Sequence, residues 1–433
     1  MTADVLIVGA GSAGSILAER LSADPARTVT VVEAGPGPED PAVRSLTDNA
    51  LSLPIGPGSP VVRRYRTRLT DHPPRTVDIP RGSCVGGSGA VNGCYFWRAL
   101  PRDFDALPGW SWPDVEEHYR AVESRIATAP VSEFADSTVR FVTAAHRAGY
   151  GSGVAPVPLN ITDGHRRGPG AVFLVPALDR PNLRVLTRTR VTRVRLRGGR
   201  AVGLDVVGDE GPRRLDAAQV VLAAGAVATA QLLMLSGVGP AERLYALGID
   251  PQADLPVGQR CWDHPEWTIS TTVPPAGDRP VLEAVLSHEA LEIRPYTTGF
   301  GAPGAVIGVA LMNPGARGRV SLDSSDPAAP PRIEHRYDSE PADAEALRRG
   351  CELVTEIVGD TTDRGRPVWS TSQHLAGSAP MGTGAEAVVD QHCRVRGVDG
   401  LWVVDGSVLP APLGRGPHAT IAMLAHRAAA FVR

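Results

Sequence analysis

The hexapeptide GAGSAG, residues 9–14, constrains this chain more than any other feature. It follows a short β-rich run, Asp4 to Val8, and leads directly into SILAERLSAD, where Ile16, Leu17 and Leu21 keep helical spacing. A second strand pattern, TVTVVEAG, then brings an acid, Glu33, nineteen residues after Gly14. Strand, tight turn, helix and strand form the unit that a bound pyrophosphate needs. Gly9 lets the chain turn, Gly11 lets backbone amides approach the phosphates, and Gly14 lets the helix pack against the strand. The helix N-terminus faces the anion with its positive end, and Glu33 is spaced to accept the ribose hydroxyls. The pattern predicts a dinucleotide and does not separate NAD from FAD.

At 433 residues, 42% of them hydrophobic, the chain is long enough for two domains or one large two-part domain. Its net charge of −3 is mixed along the chain, which argues against nucleic acid as a partner. Cys84, Cys94, Cys261, Cys351 and Cys393 are odd in number and widely spaced, without C-x-x-C, so neither a disulfide framework nor a zinc site is expected and a reducing, cytoplasmic setting is the default. The apolar run from Val220 to Gly239 approaches spanning length, but VVLAAG reads as a buried strand ending at Gly225 and Ala228 to Leu235 as a helix. No transmembrane segment and no lipidation signal is expected.

Three further segments look shaped by a ligand. PRGSCVGGSGAVNGCYF, residues 80–96, holds Gly82, Gly86, Gly87 and Gly89, which admit a close planar or phosphorylated group. Asn92 could then bond the cofactor, and Arg81 could hold the loop or a phosphate; a glycine-rich turn packed under a strand is the alternative. The stretch from Arg184 to Gly208 alternates as a hairpin or small meander with a Gly-Gly turn at 198–199, and the turn at Ala224 to Ala226 is small enough to lie beside a nucleotide. In GLWVVDGSVLP a strand from Leu401 to Val404 ends at Asp405 and Gly406, where ligands sit in α/β sheets, although an Asp-Gly turn is the other reading. ATIAMLAHRAAAFV closes the chain as an amphipathic helix whose first amides, after Pro417, could face a growing negative charge.

Together these segments resemble the glucose–methanol–choline (GMC) family of FAD-dependent oxidoreductases, in order over nearly the whole chain. PRGSCVGGSGAVNGCYF matches the family's first signature, GAVATAQLLMLSGVGP the second, LPVGQRCWDHP the segment ending in Asp-His, and NPGARGRVSLDSSDPAAPPRIEHRY and HLAGSAPMG the C-terminal portion. SPVVRRY, VGGSGAVNGCYF, HLAGSAPMG and RGPHAT look most like the oxidoreductase that accompanies mycofactocin, a peptide-derived redox cofactor. The resemblance implies an α/β fold: a doubly wound, Rossmann-like FAD-binding domain from 1–120, 156–264 and 375–433, and an interleaved α+β substrate domain from 121–155 and 265–374. It implies cofactor contacts from Gly9, Gly11, Ser12, Ala13, Gly14, Glu33, Ala34, Arg81, Val85, Gly86, Gly87, Asn92, Gly93, Val191, Ala224, Asp405 and Gly406. Residues 81–97 contain no histidine, so non-covalent FAD is expected where some members attach it.

Alcohol oxidation by a flavin removes a hydride from carbon and a proton from the hydroxyl, and the protein must take the proton. Neutral histidine suits that task near pH 7. His374, just before LAGSAPMG, matches the family's catalytic base. A second catalytic His or Asn would fall on Gly416; either a small loop shift brings His418, two residues on, to the substrate, or the site works with one histidine, and a protonated His418 could help the helix amides hold negative charge on the reduced ring. His264 is read as a structural contact near the cofactor. The implied reaction is oxidation of a small-molecule or modified-peptide alcohol, with reduced mycofactocin as one substrate and a quinone, redox protein or oxygen as acceptor. A small-alcohol oxidase or dehydrogenase and a non-redox FAD-binding lyase are the alternatives. A serine hydrolase at Ser88 fails on G-x-S-x-G, since Ala90 stands where the last glycine should be.

Overall fold

The computed structural model describes residues 3–105, 107–359 and 368–432. Valine-rich β1 (Ala3–Val8) lies between β2 (Val29–Val32) and β3 (Gly211–Leu222) and runs parallel to both. Leu183–Leu186 extends the sheet beyond β2, and Leu401–Val403 runs parallel to the end of β3. Burial on both faces explains why these strands read as continuous apolar runs. β3 changes partner along its length: residues 217–222 pair with β1, while 211–216 pair antiparallel with Arg200–Gly208, which turns back on Arg190–Arg197.

The segment expected as one hairpin or meander is therefore divided. Its first strand goes to the parallel edge at β2, and the other two form the hairpin. Alternation reports which face a residue takes, not which strand it joins. The helix expected from Ala228 begins earlier, as α2 (Gly225–Leu235). The cause is distant in sequence: the Asp405 carboxylate accepts the Gly225 N–H at 2.9 Å and so caps the new start. α1 (Ser12–Leu21) and the closing α3 (His418–Ala428) pack together, with small buried residues Ala18, Ala422 and Ala425 among their packed faces.

A second sheet orders β7 (Val368–Thr371), β4 (Pro265–Ser270), β6 (Val306–Leu311), β5 (Leu291–Pro295), Ala284–His288 and Val154–Pro156. Period-two alternation divides it cleanly. Leu291, Ile293, Ile307 and Val309 pack on the helices Asp136–Arg147 and Pro341–Val358, while Glu266, Glu292 and Arg294 point to the other face. Arg319–Ser321 and Arg332–Glu334 lie inside the span expected for the substrate domain. They join instead the hairpin Val62–Asp71/Pro74–Gly82, Arg332–Glu334 pairing directly with its first strand. That hairpin delivers the glycine-rich loop to the carboxyl ends of β1, β2 and β3, where a crevice opens.

Candidate active site

A cavity of about 790 Å³ runs along this crevice and under the second sheet. Its dinucleotide end is built by the fingerprint. Gly11 caps α1 with no side-chain hydrogen bond, which leaves the first amides of the helix for an anion. Glu33 lies buried at the end of β2; its Oε2 accepts the Ala10 N–H at 2.8 Å and its Oε1 the Gly35 N–H at 2.9 Å. Each oxygen keeps a lone pair for a ribose hydroxyl. Gly86 needs its left-handed φ of +94° to turn the loop back, and its N–H bonds the Ala10 carbonyl at 2.8 Å. The two glycine-rich turns thus hold each other, and together they form a cradle suited to a dinucleotide.

Gly9, Gly11, Ser12, Ala13, Glu33, Ala34, Arg81, Gly87, Asn92, Gly93, Val191, Ala224, Asp405, Gly406, His374 and His418 all line the cavity. Gly14, Val85 and Gly86 lie just behind it: Gly14 serves helix–strand packing, and the other two form the turn that bonds Ala10 and Pro36. Asp405 lines the cavity with its carboxylate already engaged. Its carboxylate accepts four bonds, from Gly225 N, Thr229 Oγ1, Ser407 N and Ser407 Oγ, so it ties α2 to the end of Leu401–Val403 rather than offering itself to a ligand. Arg81 donates to the Gln373 carbonyl at 2.6 Å, so it braces the loop carrying His374.

Both ring nitrogens of His418 are engaged away from His374. Its Nε2 lies 3.0 Å from Ser12 Oγ and its Nδ1 3.1 Å from Asn92 Nδ2. Cys94 N–H donates to Asn92 Oδ1, so the amide nitrogen must face the ring; His418 Nδ1 accepts and Nε2–H donates to Ser12. Burial pushes its pKa down to about 4, so it is neutral, against the expectation of a charged imidazole. The position beside His374 belongs to Gly416, where a Cβ would stand 3.1 Å from the Tyr95 ring and 3.4 Å from His374 Cε1.

The His374 end is organised by Asp263. Its Oδ1 accepts the backbone N–H groups of His264 (2.8 Å) and His374 (2.7 Å), and its Oδ2 accepts from Thr371 Oγ1 (2.6 Å) and Tyr337 OH (3.0 Å). The Nδ1 atoms of His264 and His374 are 2.8 Å apart. His374 Nε2 has no hydrogen-bond partner among the described residues, and the ring lines the cavity. Burial pushes the His374 pKa well below 6.5, and the His264 ring with the charges of Arg294 and Arg81 pushes the same way. The ring is therefore neutral at pH 7.

Sequence reading missed a buried polar network on the wall opposite. Arg294 Nε and Nη1 donate to Glu292 Oε2 and Glu266 Oε2, each at 2.8 Å. Tyr296 OH and Ser372 Oγ complete Glu266, Tyr95 OH bonds Glu292 at 3.0 Å, and Arg415 lies 3.6 Å from Glu292. Arg294 can reach across β6 because that strand presents Gly308 and Ala310 there; a Cβ on Gly308 would stand 2.3 Å from Glu266 Oε1. The available signal was LEIRPY, with polar residues at every second position of a strand.

Four ring systems in this region carry a stability consequence. Burial holds His264, His335 and His418 at about 4, and pushes His374 well below its ordinary value too. Their folded pKa values lie below the unfolded value of about 6.5, so the unfolded chain takes up protons first as pH falls. The contribution is complete above that value and is lost progressively from about 6.5 toward 4. Thermal unfolding of the cofactor-free protein should show a clearly lower Tm at pH 5 than at pH 7.

The fold and crevice define a dinucleotide-dependent oxidoreductase with a buried, neutral histidine at one end of the cavity. Sequence profiles of GMC oxidoreductase match residues 3–266 and 314–425, and the chain belongs to that family. It is 39% identical to a GMC-type oxidoreductase of Rhodococcus erythropolis, over 99% of this chain and 98% of that one. It is 30% identical to an oxygen-dependent choline dehydrogenase of Xanthomonas axonopodis pv. citri, over 99% and 95%. Among solved structures, pyridoxine 4-oxidase from Mesorbium loti superposes with a TM-score of 0.88 at 27% identity, over 99% of both chains. The protein is an FAD-dependent alcohol oxidoreductase with the GMC fold, and among the described residues no helix is long and apolar enough to cross a membrane.

Proposed function

We propose that the protein oxidises an uncharged alcohol, with His374 as general base. One observation carries the reading: the neutral His374 ring lines the cavity with an unpartnered Nε2 while its backbone is pinned to Asp263. When bound, non-covalently, FAD supplies the acceptor for the hydride. His374 Nε2 takes the hydroxyl proton. Tyr95 and Gly416 shape the space beside the ring, and the first amides of α3 favour negative charge at the cavity wall.

The charge balance argues for a neutral substrate. Glu266, Arg294 and Glu292 are 3%, 4% and 0% exposed, and Arg415 completes two cations against two carboxylates. A quaternary ammonium such as choline finds no free carboxylate here. Tyr95, Tyr296 and Phe300, with Val281, Leu282 and Val306, suit an aromatic or branched alcohol, and the likeness to pyridoxine 4-oxidase points the same way. Reduced mycofactocin is the finer candidate, supported by the four resembling segments. A reducing, cytoplasmic setting is part of the proposal, supported by the buried, unpaired Cys84, Cys94, Cys261 and Cys393.

The purified protein should be yellow. Anaerobic titration should bleach it with neutral primary alcohols or reduced mycofactocin, and not with choline. Bleaching by choline alone overturns the charge argument, and no bleaching by any alcohol returns the non-redox lyase. Peroxide formed in air, or its absence with a quinone or redox-protein acceptor still working, assigns oxidase or dehydrogenase. Arg294→Met should lower stability by about 3–5 kcal/mol, because it leaves two buried carboxylates uncompensated; thermal unfolding reads the loss.

A further inference from the structure

We infer that His264 is a positioning residue that sets the tautomer of His374, holding the His374 proton on Nδ1 and so keeping Nε2 free to accept a proton. This rests on His374 being the base. With both rings neutral, the 2.8 Å contact between their Nδ1 atoms holds one proton, and two arrangements are available. In the first, His374 Nδ1–H donates to His264 Nδ1, and His264 carries its own proton on Nε2. In the second, His264 Nδ1–H donates to His374, whose remaining proton then occupies Nε2, where no proton could be accepted.

The surroundings of His264 select the first. Its Nε2 is buried with no hydrogen bond of normal geometry among the described residues, and the Leu413 backbone acts on the ring in the direction that raises its pKa, as an accepting carbonyl does. A carbonyl can only accept, so it favours N–H at that position and opposes a bare lone pair. The same turn that brings Leu413 to His264 brings Gly416 to His374, so one loop sets both rings. The charged and titratable groups facing the pair are Asp263, Arg294, Glu292 and Arg81. Burial holds His264 at about 4, so its Nδ1 stays an acceptor through the neutral range.

The experiment uses FAD-loaded protein labelled with ¹⁵N-histidine, with His374→Ala to assign the resonances. Wild type should report His374 as the Nδ1–H tautomer. In His264→Leu the acceptor is gone; the His374 population should move toward Nε2–H, and anaerobic flavin reduction by an alcohol that bleaches wild type should slow about 10²-fold at little-changed substrate affinity. His264→Asn returns a carbonyl oxygen near the Nδ1 position and should recover most of the rate. A wild-type His374 found as Nε2–H overturns the inference, and this reading needs no folded variant. So does a His264→Leu enzyme as fast as wild type while His374→Ala is slow. If His374→Ala itself reduces flavin at the wild-type rate, the base assignment fails instead, which separates the two ideas.

Discussion

His374→Ala is expected to slow anaerobic flavin reduction by about 10²–10⁴-fold, the usual contribution of a positioned general base. The effect should fall on the reduction rate rather than on substrate affinity, because the ring's proposed work is done on a proton in transit. The variant should fold. Asp263 Oδ1 holds the backbone N–H of residue 374, not its ring, and alanine keeps that bond. Among the described residues, only His264 Nδ1 loses a hydrogen-bond partner. The space vacated lies beside Gly416, so added imidazole has room to enter and should restore part of the rate. The pH dependence has a definite sign: the base must be unprotonated, and burial depresses its pKa, so in wild type the acid limb of the reduction rate should lie well below 6.5. An alanine variant with a wild-type rate, or an acid limb above 6.5, contradicts the assignment.

The same geometry shows which parts of the site could be read in advance. The fingerprint is short-range: Gly9, Gly11, Gly14 and Glu33 owe their spacing to one strand–helix–strand unit, so sequence distance stands for spatial distance. His374 was visible because a local motif surrounds it. The tie that Asp405 makes to α2 was not legible because its partners, Gly225 and Thr229, lie about 180 residues away and no local pattern announces a capped helix. His418 was misread for a similar reason: Ser12 and Asn92 occupy both nitrogens, and only the packing of α3 on α1 brings them there. The Arg294 network was least legible. It needs Glu266, Glu292 and Arg294 from two strands, with Tyr296 just past β5 and Ser372 just past β7, together with Gly308 and Ala310 on the strand between. Alternation identified neither the register nor the gap that lets the guanidinium cross.

Gly11 and Gly14, three residues apart, should fail in different ways when changed to alanine. At Gly14 a Cβ would stand 1.9 Å from the Gly9 carbonyl oxygen, a backbone atom fixed by β1. Gly14→Ala should therefore not give a stable protein, with or without cofactor. Gly11 has φ −69° and ψ −167°, an extended conformation open to any residue, and its nearest neighbours would be the Ala223 carbonyl oxygen and Gly87 Cα, each at 3.9 Å. The protein itself has room for that methyl. What lacks room is a pyrophosphate drawn against the first amides of α1. Gly11→Ala should fold, with the circular dichroism of cofactor-free wild type, and emerge colourless. Its FAD affinity should be weaker by about 10²-fold, near the ~3 kcal/mol upper end of overpacking costs. Added FAD raises the Tm of wild type by linkage, and at the same concentration should barely move that of Gly11→Ala. A yellow Gly11→Ala protein with wild-type affinity would mean that the phosphates do not approach the chain at residue 11, and the cradle would have to be sought elsewhere along the crevice.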